Sequence, residues 1–153
     1  MNKHNSGKAL VLHGPNINML GSREPEIYGR TALKDIDDNL KKIGKLHNIM
    51  VECFQSNSEG ELITKTQSAI TILYDFIIVN PAGYTHTSIA WRDAFLAVKI
   101  PFIEIHLSNI FSRENFRHKS FFSDIAVAVI SGLGTDGYEL ALNYAIRQIS
   151  NKE

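Results

Sequence analysis

The sequence predicts an α/β protein built on a five-stranded parallel sheet, and three observations predict it. Short apolar runs rich in β-branched residues alternate with longer segments whose apolar positions recur at helical spacing. One of the short runs, FIIV at 76–79, is continuously apolar, as a strand covered on both faces must be. Polar segments follow the first, third and fourth runs, the first two of them marked by Gly and Pro, where the carboxyl ends of parallel strands would gather them.

Taken in order, residues 1–7 read as a frayed tail and 8–12 (KALVL) as the first strand, ended by the Gly14-Pro15 breaker. The stretch 13–29, HGPNINMLGSREPEIYG, is long for a strand-to-helix connection, where about 2–6 residues is usual. It interleaves Asn16, Asn18, Arg23, Glu24 and Tyr28 with Gly14, Pro15, Gly21, Pro25 and Gly29. It reads either as a lid or as a solvated excursion. Thr31 is placed to cap a helix that carries Leu33, Ile36, Leu40 and Ile43 on one face and runs to about His47.

Residues 49–54 (IMVECF) form the second strand, and Ser58 with Glu61 makes the capping box of a helix carrying Leu62, Thr66, Ala69, Ile70 and Leu73. The third strand, 76–79, stops at Asn80-Pro81 and a small-residue turn, NPAGYTHTS. A helix follows over 88–98 with Ala90, Ala94, Phe95 and Val98 on one face; after Pro101, residues 102–105 form the fourth strand, leading into HLSN. Residues 110–124 are irregular and partly basic, with Arg113, Arg117 and His118, and 125–131 form the fifth strand. The turn GLGTDG opens a last helix over 138–149 that is apolar almost all round through Leu140, Ala141, Leu142, Tyr144 and Ala145, so it should be covered by more than its own sheet.

Right-handed crossovers between such units give a flavodoxin-like three-layer sandwich, strand order 2-1-3-4-5, in one domain over 1–153 with frayed tails at 1–7 and 150–153. Ligands bind such sheets beyond the carboxyl ends of the strands at the switch point, here between strands one and three with strand four beside them. Sixteen basic residues against sixteen acidic ones give no electrostatic reason to expect nucleic acid or an anionic membrane as partner; a small substrate fits better. Cys53 is the only cysteine, so no internal disulfide and no thiolate cluster for zinc can form, which suits a reducing compartment. The N-terminal MNKHNSG lacks an apolar signal core and the longest apolar runs are far short of a membrane span, so the expectation is a soluble cytoplasmic protein.

The segments GPNINMLGSREPEIYG, NPAGYTHTSIAWRDA, IEIHLSNIFSRENFRHKS and GLGTDGYELAL together resemble the type II 3-dehydroquinate dehydratases, in order and over nearly the whole chain. The resemblance implies the flavodoxin-like fold and a lyase of the shikimate pathway, whose step also serves quinate breakdown. The reaction it implies is the anti elimination of water from 3-dehydroquinate to 3-dehydroshikimate through an enolate, with no metal and no organic cofactor. It also implies a homo-oligomer, with trimers assembling into a dodecamer.

On this resemblance Tyr28 matches the proton acceptor. A phenol with ordinary pKa near 10 must then work as phenolate, which takes roughly 4 kcal/mol of selective anion stabilisation at neutral pH. Arg23, on the same loop, matches the residue that stabilises the transition state, and Arg113 adds positive potential from the other side. Asn16 matches the asparagine that holds a water or the enolate oxygen. His106 matches the proton donor to the departing hydroxyl, and Glu104, two residues back on the same side of the strand, is placed to hold its ring in one tautomer. The backbone N–H groups of Leu107 and Ser108 match the carboxylate cradle, and Asn80, His86 and Arg117 match the remaining substrate contacts. Asp93 matches a carboxylate that reaches a neighbouring subunit's site. Two departures stand out: Pro81-Ala82-Gly83 where the family more often has Pro-Gly-Ala, and Trp91 in place of a commonly aliphatic residue.

Two other readings compete. GLGTDG matches GxGxxG, but only sixteen residues follow Gly137, leaving no second half and no ribose-binding acid for a dinucleotide. A flavin-binding or phosphorylated signalling module would share the fold, but the first strand ends in no acidic cluster to hold magnesium.

Overall fold

The computed structural model describes residues 6–22, 26 and 30–152. Five strands, β1 (Gly7–His13), β2 (Ile49–Gln55), β3 (Phe76–Asn80), β4 (Phe102–His106) and β5 (Ala128–Ser131), form one parallel sheet in the order β2-β1-β3-β4-β5. Among the described residues, four helices connect or follow them: α1 (Leu33–Leu46), α2 (Glu59–Ile72), α3 (Ile89–Val98) and α4 (Asp136–Ser150). The expected fold class and strand order are therefore met. Short 3-10 turns at Ile17–Met19, Ala82–His86, Ile110–Ser112 and Asn115–Arg117 build the loops beyond the carboxyl ends of β1, β3 and β4.

The period-two alternation of each strand divides its side chains between two cores. Ala9, Val11, Phe76, Ile78, Ile103 and Ile105 pack with Leu40 of α1 and with Ala141, Leu142 and Ala145 of α4. Leu10, Leu12, Ile77, Val79 and Phe102 pack on the other face with Leu62 and Ala69 of α2, Trp91 and Phe95 of α3, and Phe122. Trp91 is wholly buried at the middle of this second core. Its ring meets Phe122 edge-on at 5.5 Å, and its Nε1–H donates to Thr66 Oγ1 at 2.9 Å, so the polar edge of the indole is satisfied.

Several local expectations are corrected. Gly7 and Ser150 belong to β1 and α4 and not to frayed tails. The N-cap of α1 is Ala32 and not Thr31; its N–H is held by the Asp35 carboxylate at 3.1 Å, so the helix starts on a side chain from its first turn. Ser58 does cap α2, accepting from the Glu61 N–H at 3.3 Å, but the Glu61 carboxylate takes the Ser56 hydroxyl instead of closing a capping box. Ile70 and Leu73 of the α2 pattern, and Ala90 of α3, face outward; Trp91 takes the buried position expected of Ala90. β5 begins at Ala128 and not at 125, because the N–H groups of Ile125 and Ala126 turn back to the Phe122 carbonyl, at 3.1 Å each, before the chain can join β4. α4 is not apolar all round: Leu140 is 49% exposed, while Tyr138, Ala141, Leu142, Ala145, Ile146 and Ile149 form a single buried stripe.

Candidate active site

A cleft of about 190 Å³ opens beyond the carboxyl ends of β1, β3 and β4, where the switch-point argument places it. The register makes those ends neighbours: His13 of β1 lies beside Asn80 of β3, Val79 beside Glu104, and His106 beside Ser131. Asn16, Asn80, His86, His106, Leu107, Ser108, Arg113 and Arg117 all line the cleft, so eight expected site residues are brought together from four segments of the chain. Glu104 sits directly beneath. Arg23 and Tyr28 lie outside the described residues. Asp93 is exposed on α3 and is not part of this chain's cleft.

The wall contributed by the loop after β1 depends on close backbone contact. Gly14 donates its N–H to the Asn80 carbonyl at 2.8 Å, and a Cβ there would lie 2.4 Å from the Pro81 carbonyl oxygen, so only glycine lets the two loops meet. Asn16 follows with φ 68°, a left-handed conformation that asparagine tolerates better than most residues. Its backbone N–H is tied to the Asn57 carboxamide at 2.9 Å. Asn18 binds Gln55 at 3.4 Å and does not line the cleft, in keeping with a turn residue.

Across the cleft, Ala82 also has positive φ, 51°. This is the position where Pro-Ala-Gly departs from Pro-Gly-Ala, so the departure puts a Cβ on a backbone conformation that favours glycine, at a cost of about 1 kcal/mol. The same turn carries His86. Its Nδ1–H donates to the Lys119 carbonyl at 2.6 Å, and burial holds the imidazole below its ordinary pKa, with His106 and Arg117 adding to the effect against the opposing pull of that carbonyl. With Nδ1 committed as a donor, Nε2 offers the cleft a lone pair, suited to a substrate hydroxyl.

The end of β4 carries the most constrained pair. Glu104 is wholly buried, and its Oε2 meets His106 Nε2 at 2.5 Å. Its Oε1 accepts the Ser120 and Ser123 hydroxyls, each at 2.9 Å. The Ser120 oxygen itself accepts N–H bonds from Phe122 and Ser123, at 3.0 and 3.2 Å, so its own hydrogen must go to Glu104. A carboxylate held at both oxygens fixes the imidazole ring with Nε2 inward, leaving Nδ1 as the ring nitrogen that Glu104 does not engage.

The basic segment supplies charge. Arg113 Nη1 donates to Ser108 Oγ at 3.2 Å, and Arg117 Nε donates to Glu114 Oε2 at 2.6 Å, which also lies 3.8 Å from Arg113 Nε. Two guanidiniums thus meet one carboxylate at the rim of the cleft.

One group among the described residues has metal-ligand chemistry: His13, Asp37 and Cys53, whose donor atoms lie within 4.8 Å of one another. It is poorly suited to an ion. Both ring nitrogens of His13 are engaged, with Tyr138 and with Asp37 at 2.8 Å each, and burial together with the Asp37 charge pushes the Cys53 thiol far above its ordinary pKa. These residues, and Ser120 and Ser123, are the part of the site that sequence reasoning missed. The serines are 16 and 19 residues from the carboxylate they hold, and no spacing rule connects them. A polar residue at a strand end, His13, and an aromatic opening a helix, Tyr138, were the only signals of the other group.

Comparison with known proteins gives a consistent result. The family described as "Dehydroquinase class II" matches residues 7–146. A 3-dehydroquinate dehydratase of Legionella pneumophila is 60% identical over 142 residues, covering 93% of this chain and 98% of that one. One of Nitrosomonas eutropha is 59% identical over 139 residues, covering 91% and 96%. Among solved structures, the type II dehydroquinase of Propionibacterium acnes superimposes with a TM-score of 0.88 at 40% identity, covering 93% of this chain and 97% of that one.

Proposed function

The chain belongs to the class II dehydroquinases, and from that premise we propose how its residues remove water from 3-dehydroquinate, the shikimate-pathway dehydration that the family performs. The observation that carries the proposal is the convergence of His106, backed by Glu104, with Asn16, Asn80, His86 and the arginine-lined rim on one cleft.

Tyr28, as phenolate, takes the proton α to the ketone, and Arg23 and Arg113 stabilise the anionic forms of base and intermediate. The electrons of the broken C–H bond move to the carbonyl oxygen, where Asn16 holds a water or the enolate oxygen. They return to form the carbon–carbon double bond as the C–O bond to the β-hydroxyl breaks, and His106 gives that oxygen its proton, so water leaves. The backbone N–H groups of Leu107 and Ser108 receive the substrate carboxylate, while Asn80, His86 and Arg117 complete the contacts to carboxylate and ring hydroxyls. The reaction needs no metal and no organic cofactor, since each proton has a side chain of this protein to carry it.

Asp93, exposed on α3, is assigned to the site of a neighbouring subunit within a trimer-based homododecamer. Apolar side chains left at the surface before, on and after the edge strand, Val127, Val129 and Leu133, support such assembly. A cytoplasmic setting is part of the same reading and is supported by the single cysteine. No helix among the described residues is long and apolar enough to cross a membrane.

The test is turnover of 3-dehydroquinate by the purified protein, followed by the ultraviolet absorbance of the conjugated product. Activity is expected to survive chelators and borohydride. Tyr28→Phe is expected to lower kcat by about two orders of magnitude or more with the fold intact. Near-normal turnover by that variant would remove Tyr28 from the role of base.

A further inference from the structure

Behind the cleft, on the sheet face covered by α1 and α4, lies a buried polar chain. Asn80 Nδ2 meets Tyr138 Oη at 3.1 Å, Tyr138 Oη meets His13 Nδ1 at 2.8 Å, and His13 Nε2 meets Asp37 Oδ1 at 2.8 Å. The fold explains why they meet. His13 and Asn80 are register partners at the ends of β1 and β3, on the face they share with Val11 and Ile78, and α4 lays Tyr138 across both. His13 and Tyr138 have at most 1% exposure and Asn80 has 3%, so solvent is kept from the Asn80–Tyr138–His13 bonds, while the Asp37 end is 22% exposed.

The direction of every hydrogen bond follows from the two ends. Asp37 accepts, so His13 carries hydrogen on Nε2. At the other end, the Ala82 N–H can only donate, and it meets Asn80 Oδ1 at 3.2 Å, which turns Nδ2 toward Tyr138. Tyr138 oxygen therefore accepts from Asn80, and its hydroxyl hydrogen goes to His13 Nδ1. Burial pushes the Tyr138 phenol far above its ordinary pKa, which keeps that hydrogen in place. Cys53 Sγ lies within 4.8 Å of the same carboxylate and of the His13 ring. Reversing the Asn80 carboxamide would set an N–H against the Ala82 N–H and break the bond to the phenol at once.

We propose that Tyr138 and His13 are positioning residues that hold the Asn80 carboxamide in one orientation for substrate. Asn80 lines the cleft, and after its bonds to Tyr138 and Ala82 it has one N–H and one carbonyl lone pair uncommitted among the described residues. A fixed N–H of this kind suits a carboxylate or hydroxyl oxygen of the ligand. This deepens the proposed function, because it rests on Asn80 being a substrate contact.

The experiment is steady-state kinetics on 3-dehydroquinate for the unsubstituted enzyme, Asn80→Ala, Tyr138→Phe and the double variant, each checked for its melting temperature. Asn80→Ala is expected to raise KM. Tyr138→Phe is expected to raise KM roughly tenfold with kcat changed by less than about threefold, the scale of the one hydrogen bond that holds the Asn80 carboxamide. In the Asn80→Ala background the same substitution is expected to change KM less than about twofold, since a residue that acts through Asn80 has nothing left to position. Where Tyr138→Phe does not fold, His13→Leu and His13→Gln take its place: leucine is expected to raise KM, and glutamine, which keeps an acceptor for the phenol, to restore most of the loss. An equal rise of KM in both backgrounds, no rise in either, or no difference between leucine and glutamine would overturn the proposal. An unchanged KM in Asn80→Ala would instead overturn Asn80 as a substrate contact, and the positioning role with it.

Discussion

Glu104 has no contact with water and three donors of its own, from His106, Ser120 and Ser123. Its service to His106 therefore depends on serines that never enter the cleft. Ser120→Ala removes one of those donors and leaves the Phe122 and Ser123 N–H groups without their acceptor. The expected cost is about 2 kcal/mol of stability. It should be read as a lower melting temperature together with a lower kcat, because the imidazole loses part of its anchor. His86 makes a prediction about acid. Its folded-state pKa lies below the ordinary imidazole value, so the unfolded chain binds the proton first as pH falls. Its neutral form is accommodated above that ordinary value, near 6.5, and stability is lost as pH drops below it. Replacing it with asparagine should shrink the fall in melting temperature between about pH 7.5 and pH 5.5. The i, i+2 relation of Glu104 and His106 was legible because strand periodicity puts both on one face. The serine clamp was not, because loop closure and not periodicity brings Ser120 and Ser123 under β4.

At the scale of elements, the cleft walls rest on two backbone positions. Gly14→Ala would drive a Cβ into the Pro81 carbonyl, 2.4 Å away, and must part the β1 and β3 loops. A fall in kcat/KM of about tenfold or more is expected, since misplacing contacts by a fraction of an ångström is costly in catalysis. Ala82→Gly works in the opposite direction. It relieves a positive φ of 51° and should raise stability by up to about 1 kcal/mol, or roughly 2–4 °C in melting temperature, with turnover retained. The helices were legible where apolar spacing was strict, as in α1 with Ile36 and Leu40. They were misread where pattern and packing part: Ile70 and Leu73 continue the period of α2 but point to water, and Trp91, not Ala90, enters the core of α3. The apolar run before β5 looked like strand because hydrophobicity alone does not distinguish a helical turn at 122–126 from an extended chain.

For the molecule as a whole, alternation of strands and helices with right-handed crossovers left few topologies, and the observed order β2-β1-β3-β4-β5 is the simplest of them. That topology gathers loops from three strand ends into one cleft and, on the opposite side of β1 and β3 from Trp91, sets the buried chain of Asp37, His13 and Tyr138 behind Asn80. Assembly is the property a single chain displays least. Sedimentation or native mass measurement is expected to give twelve chains of 17.2 kDa, and Asp93→Ala should lower activity only in the assembled form. A fully active monomer would contradict the assignment of Asp93 to a neighbour's site.

The division of labour between a base on the β1 loop and an acid at the end of β4 is tested most directly with His106→Ala in deuterated water. Exchange of the proton α to the ketone and formation of product are followed together by nuclear magnetic resonance. The expected result is α-exchange that outpaces a strongly slowed loss of water, because Tyr28 still forms the enolate while the hydroxyl lacks its proton donor. Product formation at near the unmodified rate would contradict the account.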